Sequence, residues 1–357
     1  MNKMESDSFF RRFLSPKNFE FRAIVFVAMS CFVFSCSRNT PKMQSNRSVF
    51  QEPISKILTT QLCQVKADSG LVFLMDVKSG CLLSSIGFVR KGNGYVVPEK
   101  SQIDQKCELG NLFVPIAMLG ALNTGKFSLN DSVDTKRGLY ESSGTKILDS
   151  NYEHGGFGKI TYQDAITKSS NIGVVRAMEE AFGESPELLS VQIEKMFKGE
   201  PFQSNQELKT WNWKYVSIGY EMKLSPLQIL VLFNAIANNG KMIYNNKVIN
   251  PAVAALPAIQ AMKVTLKAVV TQGTGKFALS DSVSIAGKTG SMHVWKGHTE
   301  SVETGEYYGA SFCGYFPAEN PEYSCLVIVF GAKEGVSYGG RIAAPIFKEI
   351  AENISRK

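Results

Sequence analysis

Between residues 70 and 89 the apolar positions run almost unbroken through GLVFLMDV (70–77), a Lys78-Ser79-Gly80 interruption and CLLSSIGFV (81–89). Two short apolar runs joined by turn-forming residues predict a β-hairpin. Ahead of it, ILTTQLCQVKAD (57–68) reads as a helix leading into the first strand. From residue 113 the spacing changes to threes and fours. FVPIAMLGALNTG (113–125), TYQDAITKSSNIGVVRAMEEAFG (161–183), PELLSVQIEKMFKG (186–199) and LSPLQILVLFNAIANNG (224–240) each carry the apolar face of a helix. Thr161 is a candidate N-cap, and Gly183 and Gly240 are candidate stops. Beyond 282 the strand rhythm returns in SVSIAGKTGSMHVW (282–295), YGASFCGYF (308–316) and YSCLVIVFGA (323–332), before a last helix in RIAAPIFKEIAENI (341–354). Strands near both ends with helices between them predict an α+β domain whose sheet is completed by distant segments.

Residues 37–53 are polar and lack such a rhythm, which suits a tether, so the folded body is expected over 54–357. Upstream, Arg11, Arg12, Lys17 and Arg22 precede the apolar run AIVFVAMSCFVFSC (23–36), too short to span a bilayer comfortably. This is the form of a signal peptide, residues 1–35. Its end, Val33-Phe34-Ser35-Cys36, resembles a bacterial lipobox, which implies lipidation of Cys36 and a lipid-anchored location on the periplasmic side of a bacterial membrane; the alternative is an uncleaved signal anchor.

Of the 357 residues, 44% are hydrophobic and 20% charged, which is a globular composition. The net charge of +7 is dispersed, with no basic block interleaved with aromatics, so nucleic acid is not an expected partner. Three scattered histidines and five cysteines beyond residue 36, none in a CxxC pair, predict neither a metal site nor a disulfide framework, and no cofactor is expected. Cys313 and Cys325 lie symmetrically about Glu319 in a candidate hairpin, which would set them opposite each other. They are either bonded or two small buried residues of a central sheet.

Two stretches carry candidate chemistry. In Ala286-Gly287-Lys288-Thr289-Gly290-Ser291 a strand presents a cation, two hydroxyls and a residue without a side chain, an arrangement that can receive a substrate carboxylate and backbone. Ser169-Ser170-Asn171 lies where one helical stretch passes into another, so its side chains either cap a helix or project into a groove to relay a proton and hold a carbonyl. The cluster Trp211-Asn212-Trp213-Lys214-Tyr215 is expected to pack a core rather than line a groove.

Together, SxN followed by KTG form two thirds of the SxxK, SxN, KTG signature of penicillin-binding proteins and serine β-lactamases. Ser217-Ile218-Gly219-Tyr220, Leu224-Ser225-Pro226-Leu227-Gln228, Gly273-Thr274 and Tyr338-Gly339-Gly340-Arg341-Ile342-Ala343-Ala344-Pro345-Ile346-Phe347 extend the match. From about Ile54 to the C-terminus the chain resembles the transpeptidase domain of class B, cell-division-type penicillin-binding proteins. The resemblance implies an antiparallel sheet flanked by helices beside a mostly helical subdomain. It further implies substrate-binding roles for Ser169, Asn171, Lys288, Thr289, Gly290 and Ser291, and oxyanion donors at the backbone N–H groups of Asn111 and Ser291. The implied ligands are the D-Ala-D-Ala end of a peptidoglycan stem peptide or a β-lactam, and the implied partners are proteins of cell-wall synthesis or division.

The first motif departs from the family. Where that family reads Glu-Pro-Gly-Ser-Thr-Phe-Lys-Pro, this chain reads Glu108-Leu109-Gly110-Asn111-Leu112-Phe113-Val114-Pro115, so Asn111 stands at the nucleophile's place and Val114 at the base's. Neither side chain can do the work of the residue it replaces. The expected protein is therefore a transpeptidase homologue without catalysis, a peptide binder or scaffold. The alternatives are an active D,D-transpeptidase or carboxypeptidase using another residue, or a fold reused for an unrelated protein contact. The one SxxK in the chain, Ser143-Gly144-Thr145-Lys146, sits in a Gly- and Ser-rich stretch and is read as chance.

Overall fold

The computed structural model describes residues 41–99, 103, 105–108, 110–142, 144–183, 185, 187–197, 212–294, 307–333 and 339–356. Helix α1 (Pro41–Gln64) leads into strand β1 (Ser69–Asp76), and a turn at Lys78–Gly80 returns the chain through β2 (Leu82–Lys91) to a short β3 (Gly94–Val96). The middle is helical: α2 (Val114–Leu122), α3 (Tyr162–Thr167), α4 (Asn171–Phe182), α5 (Glu187–Met196), α6 (Trp213–Ser217), α7 (Pro226–Ala237) and α8 (Leu256–Thr271). Strands β4 (Ala286–Val294), β5 (Tyr307–Phe316) and β6 (Tyr323–Phe330) and helix α9 (Gly339–Ser355) complete it. The sheet runs β4-β5-β6-β1-β2-β3 with every neighbouring pair antiparallel, so β1 from one end of the chain lies beside β6 from the other.

Both faces of this sheet are covered, which is why β1 reads as a continuous apolar run instead of alternating. Leu71, Phe73 and Met75 point into the larger cluster with α2, α4, α7 and α8, while Val72 and Leu74 point into a second cluster with α1 and α9. Helix α7 is apolar at nearly every position, Gln228 and Asn234 excepted, because it is buried all round, and its start is fixed by a capping box between Ser225 and Gln228. In α9 the buried positions Ile342, Ile346, Ile350 and Ile354 recur every four residues and form one stripe against the second cluster.

The register corrects one expectation. Cys313 pairs with Leu326 and Cys325 with Gly314, an offset of one residue from direct opposition. A one-residue shift moves a side chain to the other face. Accordingly Cys313 belongs to the first cluster and Cys325 to the second, and both thiols are free.

Three other segments differ from the reading of the pattern. Helix α1 begins at Pro41, inside the stretch that polarity suggested was a tether, and there Phe50 packs edge-on against Tyr323 with ring centroids 5.9 Å apart while Ser84 Oγ donates to Gln51. Helix α8 had no expectation attached to it. The Gly- and Ser-rich stretch is a hairpin, Leu139–Ser142 with Thr145–Leu148, where exposed Lys146 pairs with exposed Glu141 at 3.3 Å. Trp213 and Tyr215 pack partly buried against the first cluster, as expected of core aromatics. Residues 1–35, Cys36, Trp211 and Tyr338 lie outside the described residues. Among the described residues no helix is long and apolar enough to cross a membrane.

Candidate active-site groove

The groove is assembled where the open edge of β4 meets the helical layer. A 3₁₀ turn, Gly110–Phe113, runs directly into α2 and is pressed against the end of β4. Gly110 has φ of 53°, and a Cβ there would lie 2.2 Å from the carbonyl oxygen of Ser291. Gly219, with φ of 87°, backs Gly110 in the same way: its Cβ would lie 1.8 Å from the Gly110 oxygen. Only glycine meets both the space and the left-handed backbone. Gly219→Ala should therefore cost roughly 2 kcal/mol or more of stability, read as a lowered urea midpoint at unchanged slope. An unchanged midpoint would mean that the turn and the SIGY segment are not in contact.

The sequence Ser169-Ser170-Asn171 divides its labour, and the capping reading holds for Ser170. Ser170 is the N-cap of α4: its hydroxyl accepts from Gly173 N at 3.0 Å and donates to Asp149 Oδ2 at 2.8 Å. Asp149 also receives Ile172 N at 3.1 Å, and burial, opposed by these hydrogen bonds, holds its carboxyl above the usual carboxylate range. Ser169, by contrast, takes a left-handed φ of 60° between α3 and α4 and turns its hydroxyl toward β4.

On β4, Lys288 is fully buried and lies across from Cys313. Its Nζ donates to Ser169 Oγ at 2.6 Å and to the Thr289 carbonyl at 3.1 Å. Burial lowers its pKa from 10.5 to about 7, with no carboxylate among the described residues opposing the shift. Thr289 shares a 2.8 Å hydroxyl contact with Thr274, which follows α8. Gly290 is buried and Ser291 half-buried, and Gly339 at the start of α9 lies against the Gly290 backbone, where a Cβ would come to 2.3 Å.

Asn111, half-buried, completes the ring: its Nδ2 donates to Ser169 Oγ at 3.2 Å and to Asn171 Oδ1 at 3.0 Å. Asn171 in turn donates to the Leu148 carbonyl at 2.9 Å. Val114 is 1% exposed and sits among the apolar residues of the first cluster. The structure thus brings Asn111, Ser169, Asn171, Lys288 and Thr289 into one connected network, with Gly290 and Ser291 continuing the same strand. Chemically, this network offers a cation that titrates near neutrality, several hydroxyls and two carboxamides, but at position 111 a nitrogen whose lone pair is delocalised into its carbonyl. Asp149 and the Leu148 carbonyl were invisible in the sequence, because neither stands in a motif and their roles depend on the hairpin that presents them.

A family model, the penicillin binding protein transpeptidase domain, matches residues 70–352. Among curated relatives, the probable peptidoglycan D,D-transpeptidase PenA of Neisseria flavescens is 23% identical over 80% of this chain and 74% of its own length. The peptidoglycan D,D-transpeptidases FtsI of Buchnera aphidicola and Escherichia coli are 24% and 23% identical over 82% of this chain, which spans about half of each (54% and 52%). Among solved structures, the apo transpeptidase domain of Burkholderia pseudomallei penicillin-binding protein 3 superposes with a TM-score of 0.72, at 24% identity, over 87% of this chain and 94% of that one. With the sheet and the helical layer disposed as the resemblance implied, the chain belongs to the penicillin-binding protein transpeptidase family, with the class B, cell-division type as its counterpart.

Proposed function

We propose that this protein is a non-acylating transpeptidase homologue that binds the D-Ala-D-Ala end of peptidoglycan stem peptides reversibly, within the machinery of cell-wall synthesis or division. One observation carries this: the network keeps Lys288 on Ser169 and Thr289 on Thr274, while position 111 holds a carboxamide donating to Ser169 and Asn171. Groups suited to positioning a peptide are retained, and those needed only to make an acyl bond are absent. Lys288, Thr289 and Ser291 would take the terminal carboxylate, Gly290 would admit the ligand's main chain, and Ser169 and Asn171 would hold its backbone. The N–H groups of Asn111 and Ser291, which do not depend on side-chain identity, would meet the carbonyl. A β-lactam would bind the same groups without a covalent step. Calorimetry with a D-Ala-D-Ala peptide and its C-terminally amidated twin tests this. Tighter binding of the free acid supports it, whereas equal affinity for both, or none for either, leaves a scaffold whose contacts are with protein.

We further propose that Cys36 is lipidated and holds the domain at the periplasmic side of a bacterial membrane. The support is the apolar run 23–36 with a small residue before the cysteine and the basic residues ahead of it. Several acyl chains anchor stably where a single chain is marginal. Cys36→Ala should abolish metabolic labelling with a fatty-acid analogue and move the protein out of the membrane fraction; unchanged labelling would refute the lipobox.

A further inference from the structure

We propose that the Asn111 side chain is a built-in plug: its carboxamide occupies the Ser169–Asn171 subsite and must turn away before a ligand's amide can bind there. This rests on the peptide-binding reading above and adds what closes the site when it is empty.

The hydrogen-bond chain fixes which end of each amide points where. The Leu148 backbone carbonyl can only accept, so Asn171 presents its NH₂ to it, at 2.9 Å. Asn171 Oδ1 then faces Asn111 and needs a donor, which Asn111 Nδ2 supplies at 3.0 Å. The second hydrogen of that nitrogen reaches Ser169 Oγ at 3.2 Å, an oxygen already receiving Lys288 Nζ at 2.6 Å. Both donors of the Asn111 amide are therefore spent inward, on the two side chains that would hold a peptide backbone.

A primary carboxamide is chemically a truncated peptide bond, planar, with a donor nitrogen and an acceptor oxygen. It fits this subsite for the same reasons that a ligand amide would. A serine hydroxyl at position 111 would leave that volume open; the carboxamide fills it. The turn itself does not depend on the contact, because Gly110 abuts Ser291 and Gly219 backbone to backbone. Asn111 is only half-buried, so its side chain can rotate to solvent while the 3₁₀ turn stays in place. Opening the site then costs about two neutral hydrogen bonds, or roughly tenfold in apparent affinity.

The test is titration of the full-length protein and of Asn111→Ala with a peptide ending in D-Ala-D-Ala, alongside thermal unfolding of both. Asn111→Ala should bind about tenfold more tightly, and the Asn111 side-chain NH₂ resonances, identified by their loss in that variant, should shift when wild type is saturated. Binding by the variant with none detected in wild type also supports the plug. Equal or weaker binding by an Asn111→Ala protein of unchanged melting temperature, beside a wild type that binds, overturns the plug and leaves the peptide-binding reading standing. No binding by either protein overturns both. Asn111→Ser gives the same comparison if the alanine protein unfolds.

Discussion

Incubated with a reporter penicillin, the protein should show no covalent mass increase at any serine between 54 and 357. By the resemblance of Glu108–Pro115 to the family's first motif, Asn111 stands where the acylated hydroxyl would be, and a carboxamide nitrogen is no nucleophile. Val114, at the place the same resemblance gives to the proton acceptor, is 1% exposed in an apolar cluster and offers no lone pair. Loss of a serine nucleophile in a protease costs about 10⁶ in kcat, and a deficit of that order would put acylation beyond any practical incubation. A stable adduct mapped to Ser169, the hydroxyl held 2.6 Å from Lys288, would show that the nucleophile had moved instead of vanished. Asn111→Ser combined with Val114→Lys should restore slow acylation. The new lysine would be buried, burial would lower its pKa, and a lysine so lowered is a usable base near neutrality. A folded double variant without adduct would mean that more than two side chains separate this groove from an acylating one.

Lys288→Ala should weaken binding of a free D-Ala carboxylate by one to two powers of ten at pH 6, since a charge-assisted hydrogen bond is worth about 1.5–3 kcal/mol. The pH dependence follows from burial. Lys288 has its pKa lowered to about 7, so it is mostly charged at pH 6 and mostly neutral at pH 8. If the charged form is the one that receives a carboxylate, affinity is full below pH 7 and falls by up to tenfold per unit above it, with a proton taken up on binding. Among the described residues no charged group contributes to its shift: Cys313 across the strand pair is a buried thiol held protonated well above neutrality, and Asp149 is turned to Ser170 and Ile172. Titrations of wild type and Lys288→Ala at pH 6 and 8 decide the matter. A slope in wild type that persists in the variant would place the titrating group elsewhere.

Much of the architecture was legible because burial on two faces leaves a plain mark. The unbroken runs in β1 and β6 pointed to a sheet completed by distant segments, and Thr161 caps where capping chemistry says it should. The hairpin at 139–148 was illegible, since strands of only four residues, LYES and TKIL, are too short to show a periodicity above background. The cysteines show the limit most sharply: a midpoint shifted by half a residue in the β5–β6 turn exchanges opposition for opposite faces. In the groove, motif spacing identified Ser169, Asn171 and Lys288, but not that Asn111 would be bonded to two of them. That depends on Gly110 and Gly219 bringing distant backbones into contact.

Those two glycines separate the shape of the groove from the chemistry within it. Nothing in their contact consults the side chain at 111, so a lineage can exchange the nucleophile and keep the cradle. On the non-acylating reading proposed above, penicillin-based probes sort cell-envelope proteins by the side chains at two positions, 111 and 114 here, and not by fold. On that reading a census taken with them passes over this chain, and an inhibitor meant for it has to hold on by shape and charge, out of reach of resistance that works by opening a β-lactam ring.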